Sequence, residues 1–111
     1  MTSIMEFENY KTRRENDARP PAFSDEALAL RFAERQVNDL RFVAAWSKWL
    51  YWNGSRWEFD ETALATCFAR KVCRAAAAEC NDPRLAKAVA SAKTIAAVER
   101  LAKADADLHE D

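Results

Sequence analysis

Residues 46–59 run Trp46-Ser47-Lys48-Trp49-Leu50-Tyr51-Trp52-Asn53-Gly54-Ser55-Arg56-Trp57-Glu58-Phe59. An Asn-Gly pair between two aromatic runs is a hairpin signal, because both residues tolerate the positive φ that a tight turn needs. The pattern predicts strands over 48–52 and 56–59, separated by Asn53, Gly54 and Ser55. The register is open. Either plausible register puts Leu50, Trp52, Trp57 and Phe59 on one face, because strand side chains alternate with period two. That face is expected to be buried, with Trp52 and Trp57 in the core. Trp49 and Tyr51 point the other way and are the expected exposed aromatics, although a helix packed on that side would bury them too.

Upstream of the hairpin, Leu40-Arg41-Phe42-Val43 reads as a third short strand. Before it lies an amphipathic helix with a clear start. Ser24 is a candidate N-cap, Asp25 and Glu26 suit the positive end of the helix dipole, and Phe23 can staple onto Leu28. Leu28 and Phe32 form its apolar stripe, flanked by Ala29, Ala33 and Val37, and the helix should stop near Asn38-Asp39. Downstream, Asp60 is a candidate N-cap for an alanine-rich helix to about Cys80, with Leu64, Phe68, Val72 and Ala75 as the buried stripe. Asn81-Asp82-Pro83 stops that helix and starts another, since proline fits the first helical position. A third helix is expected over 83–90 and a fourth over 94–104, and residues 91–93 either separate the two or join them. The expected fold is α+β, mostly α, with about four helices and a small two- or three-stranded antiparallel hairpin or meander. Its parts are a flexible charged tail over 1–22, a single domain over 23–104 and an acidic, frayed tail over 105–111.

With 111 residues, half of them apolar, the chain can form one core without covalent staples. The longest apolar run falls far short of the ~20 residues that span a bilayer, and residues 1–20 show no secretory signal. Three cysteines are an odd count and no disulfide framework, which points to a reducing, cytoplasmic compartment. The net charge of −1 conceals an uneven distribution. Residues 62–104 carry eight bases and three acids, whereas residues 105–111 carry four acids and no Lys or Arg. A pI near 5.9 argues against a strong, constitutive nucleic-acid binder.

The parts of an enzyme are missing. The single histidine, His109, lies in the acidic tail without the positioned partner that a general base needs. Cys67, Cys73 and Cys80 share one helix; Cys73 and Cys80 are two turns apart, about 10 Å, too far to bridge or to share a zinc. The single glycine, Gly54, belongs to the hairpin, so no phosphate-cradling loop exists. No cofactor, metal site or catalytic residue is expected.

Two features suit binding instead. The aromatic block around the hairpin can stack on unpaired bases or anchor a protein interface, with Trp49 and Tyr51 as the expected contacts. Arg70, Lys71 and Arg74 are neighbours on one helix face, off the apolar stripe, and Lys87 and Lys93 extend the basic excess along later helices. Such a set can neutralise backbone phosphates, or it can be a solvated face.

The order of these motifs resembles the poxvirus-type primase-helicase N-terminal domain, which precedes the superfamily-3 helicase core in phage and plasmid replication proteins. An amphipathic helix with Phe32 leads into Asp39-Leu40-Arg41-Phe42-Val43. Trp46, Lys48-Trp49-Leu50 and Trp52-Asn53-Gly54-Ser55-Arg56-Trp57 follow, Asp60 opens an alanine-rich helix, and Ser91-Ala92-Lys93 leads into a last one. The likeness covers residues 24–104 and is densest over 39–57. Asn38 or Val37 stands where the family often has glycine, and Asn53 where it often has aspartate, a benign change in a turn. The Walker motifs of the family would begin downstream of residue 111, so the chain reads as an excised domain, a truncated gene or a free-standing relative.

The resemblance implies a non-catalytic accessory role in the replication of a mobile element, contributing DNA contact or helicase assembly. Implied partners are single-stranded or forked DNA, the superfamily-3 helicase or primase part of a replication protein, and another copy of the chain. Arg70, Lys71, Arg74, Lys87 and Lys93, with Trp49 or Tyr51, are the expected nucleic-acid-binding residues. The alternative is a protein-interaction module of a mobile element, for self-assembly or for binding a host factor, with no DNA contact.

Overall fold

The computed structural model describes residues 19–110. The expected tail over 1–22 falls outside them as far as residue 18, as does Asp111. The elements are α1 (Asp25–Gln36), β1 (Leu40–Val43), a 3-10 turn (Ala44–Trp46), β2 (Lys48–Trp52), β3 (Trp57–Phe59), α2 (Leu64–Glu79), α3 (Pro83–Val89), α4 (Ala92–Ala102) and β4 (His109–Glu110). The mostly helical α+β class is as expected. The sheet is larger than a meander and is mixed, in the order β3-β2-β1-β4. β1–β2 and β2–β3 are antiparallel, whereas β4 runs parallel to β1, with His109 opposite Phe42.

Local chemistry sets the helix ends. Ser24 caps α1, its Oγ accepting from the Ala27 N–H at 3.2 Å. Asp82 caps α3 by accepting from the Arg84 N–H at 3.0 Å, with Pro83 in the first turn. Ser91 accepts from the Thr94 N–H at 3.2 Å and so separates α4 from α3. Asp60 works from further back than an N-cap. Its carboxylate takes the N–H groups of Leu64 at 2.8 Å and Ala65 at 2.9 Å, while the cap position itself is Ala63 at φ 58. In the hairpin turn only Gly54 takes a positive φ, +102. Asn53 contributes its side chain, Oδ1 accepting from the Ser55 and Arg56 N–H groups.

The core lies between the helices and one face of the sheet. Leu28, Phe32 and Ala33 of α1 meet Val98 and Ala102 of α4, with Leu40 and Trp49 from the sheet. The buried stripe of α2 differs from the expected one. Ala65, Ala69, Val72, Cys73 and Ala76 are buried, while Leu64, Phe68 and Ala75 are half-buried. α2 packs on both α1 and α4, and small side chains allow two helices to approach closely, so its alanine-rich side turns inward. The bidentate pair of Arg31 with Glu79, at 2.8 and 3.0 Å, ties α1 to the end of α2.

Residues 105–110 do not fray. Leu108 is fully buried and Ala106 is buried, and the Leu108 carbonyl accepts from the Phe42 N–H at 2.8 Å. The acidic side chains of this segment obscure its two apolar anchors, Ala106 and Leu108, and β1 offers an open edge to receive it.

Candidate nucleic-acid interface

The hairpin faces the opposite way from the sequence expectation. β1 decides this: Leu40 lies opposite Tyr51 and Phe42 opposite Trp49, and the side of β1 that carries Leu40 is covered by the helices. Trp49 is therefore a core residue, 8 % exposed. Its ring packs edge-on against Phe32 at 5.9 Å and Phe42 at 5.3 Å, so it is not the exposed contact expected of it. Tyr51, on the same face, is half-buried, and its hydroxyl donates to a Glu58 carboxylate oxygen at 2.8 Å. That bond pushes the Tyr51 phenol up and is the main cause holding the Glu58 carboxyl below its ordinary value. Trp52, Trp57 and Phe59, expected in the core, are 40 %, 38 % and 44 % exposed, and Trp46 is 57 % exposed.

This solvent-facing side of β2 and β3 carries two edge-to-face ring pairs, Trp52–Trp57 and Trp46–Phe59, each with centroids 5.6 Å apart. Cations lie against the rings. The Arg41 guanidinium is 5.3 Å from the Trp57 centroid and the Lys48 ammonium 4.9 Å from the Phe59 centroid. A shallow groove of about 470 Å³, lined by Trp46, Leu50, Arg56, Trp57, Glu58 and Phe59, runs along it. The alternation that put Leu50, Trp52, Trp57 and Phe59 on one face was legible; that helices would cover the other face was not.

The basic residues stand at the surface. Arg70, Lys71 and Arg74 share an exposed flank of α2, away from the buried Ala69, Val72 and Ala76. The Lys71 ammonium rests 5.7 Å from the Phe68 ring centroid. Lys87 and Lys93 are exposed on α3 and α4, so the expected set is spread over three helices and only its first three members share one. The cysteines are free, with Cys73 buried, Cys80 half-buried and Cys67 exposed. Burial pushes the Cys73 thiol up, which suits packing and not reactivity. Among the described residues no three His, Cys, Asp or Glu side chains are placed to hold a metal, and no helix is long and apolar enough to cross a membrane.

The family model described as "D5 N terminal like" matches residues 29–111, from within α1 to the end of the chain. The chain belongs to the D5 N-terminal-like family. This is the non-catalytic N-terminal domain of D5-like primase-helicase proteins, the family that the Trp-rich stretch and its flanking helices resemble. The match takes in the hairpin, the basic flank of α2 and the returning β4. No curated protein and no solved structure matches the chain.

Proposed function

We propose that this D5 N-terminal-like chain is an accessory domain of a phage or plasmid replicative primase-helicase and contributes DNA contact to it. The family match over residues 29–111 carries the reading, because it sets the domain beside helicase or primase machinery that works on DNA. The exposed flank of Arg70, Lys71 and Arg74 supports it, with Lys87 and Lys93 as further contacts. These cations neutralise backbone phosphates without reading sequence, so affinity falls steeply with salt. Fluorescence anisotropy of a labelled single strand and a labelled fork, titrated at two salt concentrations, tests this. Replacing Arg70, Lys71 and Arg74 by alanine should weaken binding and reduce the salt slope by about two. Absence of binding to either DNA at low salt would overturn DNA contact and leave the alternative, a protein-interaction module working through self-assembly or a partner.

A further inference from the structure

We infer that the solvent-facing side of β2 and β3 is a stacking platform for unpaired bases of a single-stranded nucleic acid. It rests on the DNA-contact reading above and assigns that contact a second surface, away from the helical cations. Four large rings stand exposed together: Trp52, Trp57 and Phe59 on β2 and β3, and Trp46 from the preceding 3-10 turn against Phe59. A contiguous aromatic patch of this kind marks a binding site and not a random surface. Each ring is braced edge-on by a partner at 5.6 Å, so the rings are held in place before a ligand arrives.

Charge selects the ligand. Lys48, Arg41 and Arg56 flank the rings. The two carboxylates near them are already engaged, Glu58 with Arg56 at 3.3 Å and Glu110 with Arg41 at 3.5 Å. Among the described residues Lys48 has no carboxylate partner and lies against Phe59, within reach of a ligand that sits on the rings. A polyanion whose bases stack on the rings meets both demands. A second copy of the chain would instead bring two such cationic faces together. Stacking needs free base faces, which a duplex hides inside its own stack, so the ligand is a single strand. Two ring pairs accommodate about two bases, the number that sheet-face readers of single strands commonly hold. Because every base has a π face, the platform is indifferent to sequence.

The test uses the full chain and a short labelled oligothymidine, with a hairpin duplex of equal length as control. Anisotropy and intrinsic tryptophan emission are read together. The single strand should bind more tightly than the duplex and quench tryptophan emission. The double substitution Trp52→Ala with Trp57→Ala should weaken single-strand binding about tenfold or more and remove most of the quenching. Lys48→Glu should weaken it as well. If the double variant binds normally while the Arg70, Lys71 and Arg74 triple variant does not, the platform is wrong and the DNA-contact reading survives. No binding by the unaltered chain sinks both. Concentration-dependent self-association that the double variant abolishes, with no strand binding, would make this a protein-docking face. Should circular dichroism show the double variant unfolded, unchanged affinity in Lys48→Glu overturns the platform.

Discussion

The two faces of the hairpin start from similar material and end in different surroundings. Trp49 and Tyr51 point to the helices, whereas Trp52, Trp57 and Phe59 point to solvent, with half-buried Leu50 on the same side as they are. The more aromatic face is the one left open. Burial in this fold follows from what stands opposite a strand, here Phe32 and Phe42 against Trp49, and not from how apolar the strand itself is. Trp49 also accepts a cost for its position. Its indole Nε1 is buried and has no hydrogen-bond partner among the described residues, so packing against Phe32 and Phe42 is what holds the ring there. A large exposed apolar patch is the informative deviation in a protein surface, and the outer face of the hairpin is such a deviation.

Three experiments break or sharpen this contrast. The largest effect belongs to Trp49→Ala, which should destabilise the domain by about 3–5 kcal/mol in urea unfolding. Trp52→Ala, on the outer face, should cost no more than about 1.5 kcal/mol, the worth of its edge-to-face pair with Trp57. Equal costs would mean that the outer face is also core. Next comes Leu108→Ala, expected to cost about 2–5 kcal/mol, because Leu108 is fully buried beside β1. A negligible cost would show that the C-terminal strand adds nothing to the covered face.

The smallest effect concerns the polar edge of that covered face. The Glu58 carboxyl is held below its ordinary value first by the Tyr51 hydroxyl, with Arg56 and Asn53 adding to it. A carboxyl lowered in the folded state contributes stability above its unfolded pKa, and that contribution is lost as pH falls through the folded pKa. Tyr51→Phe should therefore move the Glu58 titration, followed by NMR, upward. It should also leave the thermal midpoint less sensitive to acid than in the unaltered chain. An unmoved Glu58 titration would assign its low value to Arg56 instead.

Much of this architecture is local and so is legible in the sequence. Ser24 and Asp82 each place an oxygen where the first N–H groups of a helix need one, and that geometry involves only neighbours in the chain; Ser91 does the same for α4, where the sequence left open whether residues 91–93 separate two helices or join them. Asn53-Gly54 likewise sets the hairpin turn by short-range sterics and a side-chain hydrogen bond. The run from Asp39 to Trp57 carried enough of its family's pattern to point to the family over most of the chain. The buried stripe of α2 departs from the expected one because large residues outrank alanine in any sum of hydrophobicity, while helices crowded on two sides prefer the smaller surface.

Sequence alone thus determined the helices, the caps of α1 and α3, the hairpin and the placing of Trp52 and Trp57 on one side of it. Which side meets the helices was a tertiary decision, taken by the register of β1 and by Phe32 across the core. The parallel return of β4 was another. An edge strand pairs with whatever segment reaches it, and nothing in the acidic stretch over 105–110 announces a partner more than sixty residues upstream until Leu108 is seen in the core. Period-two alternation divides a strand into two faces but does not label them; only the layer packed above one of them does.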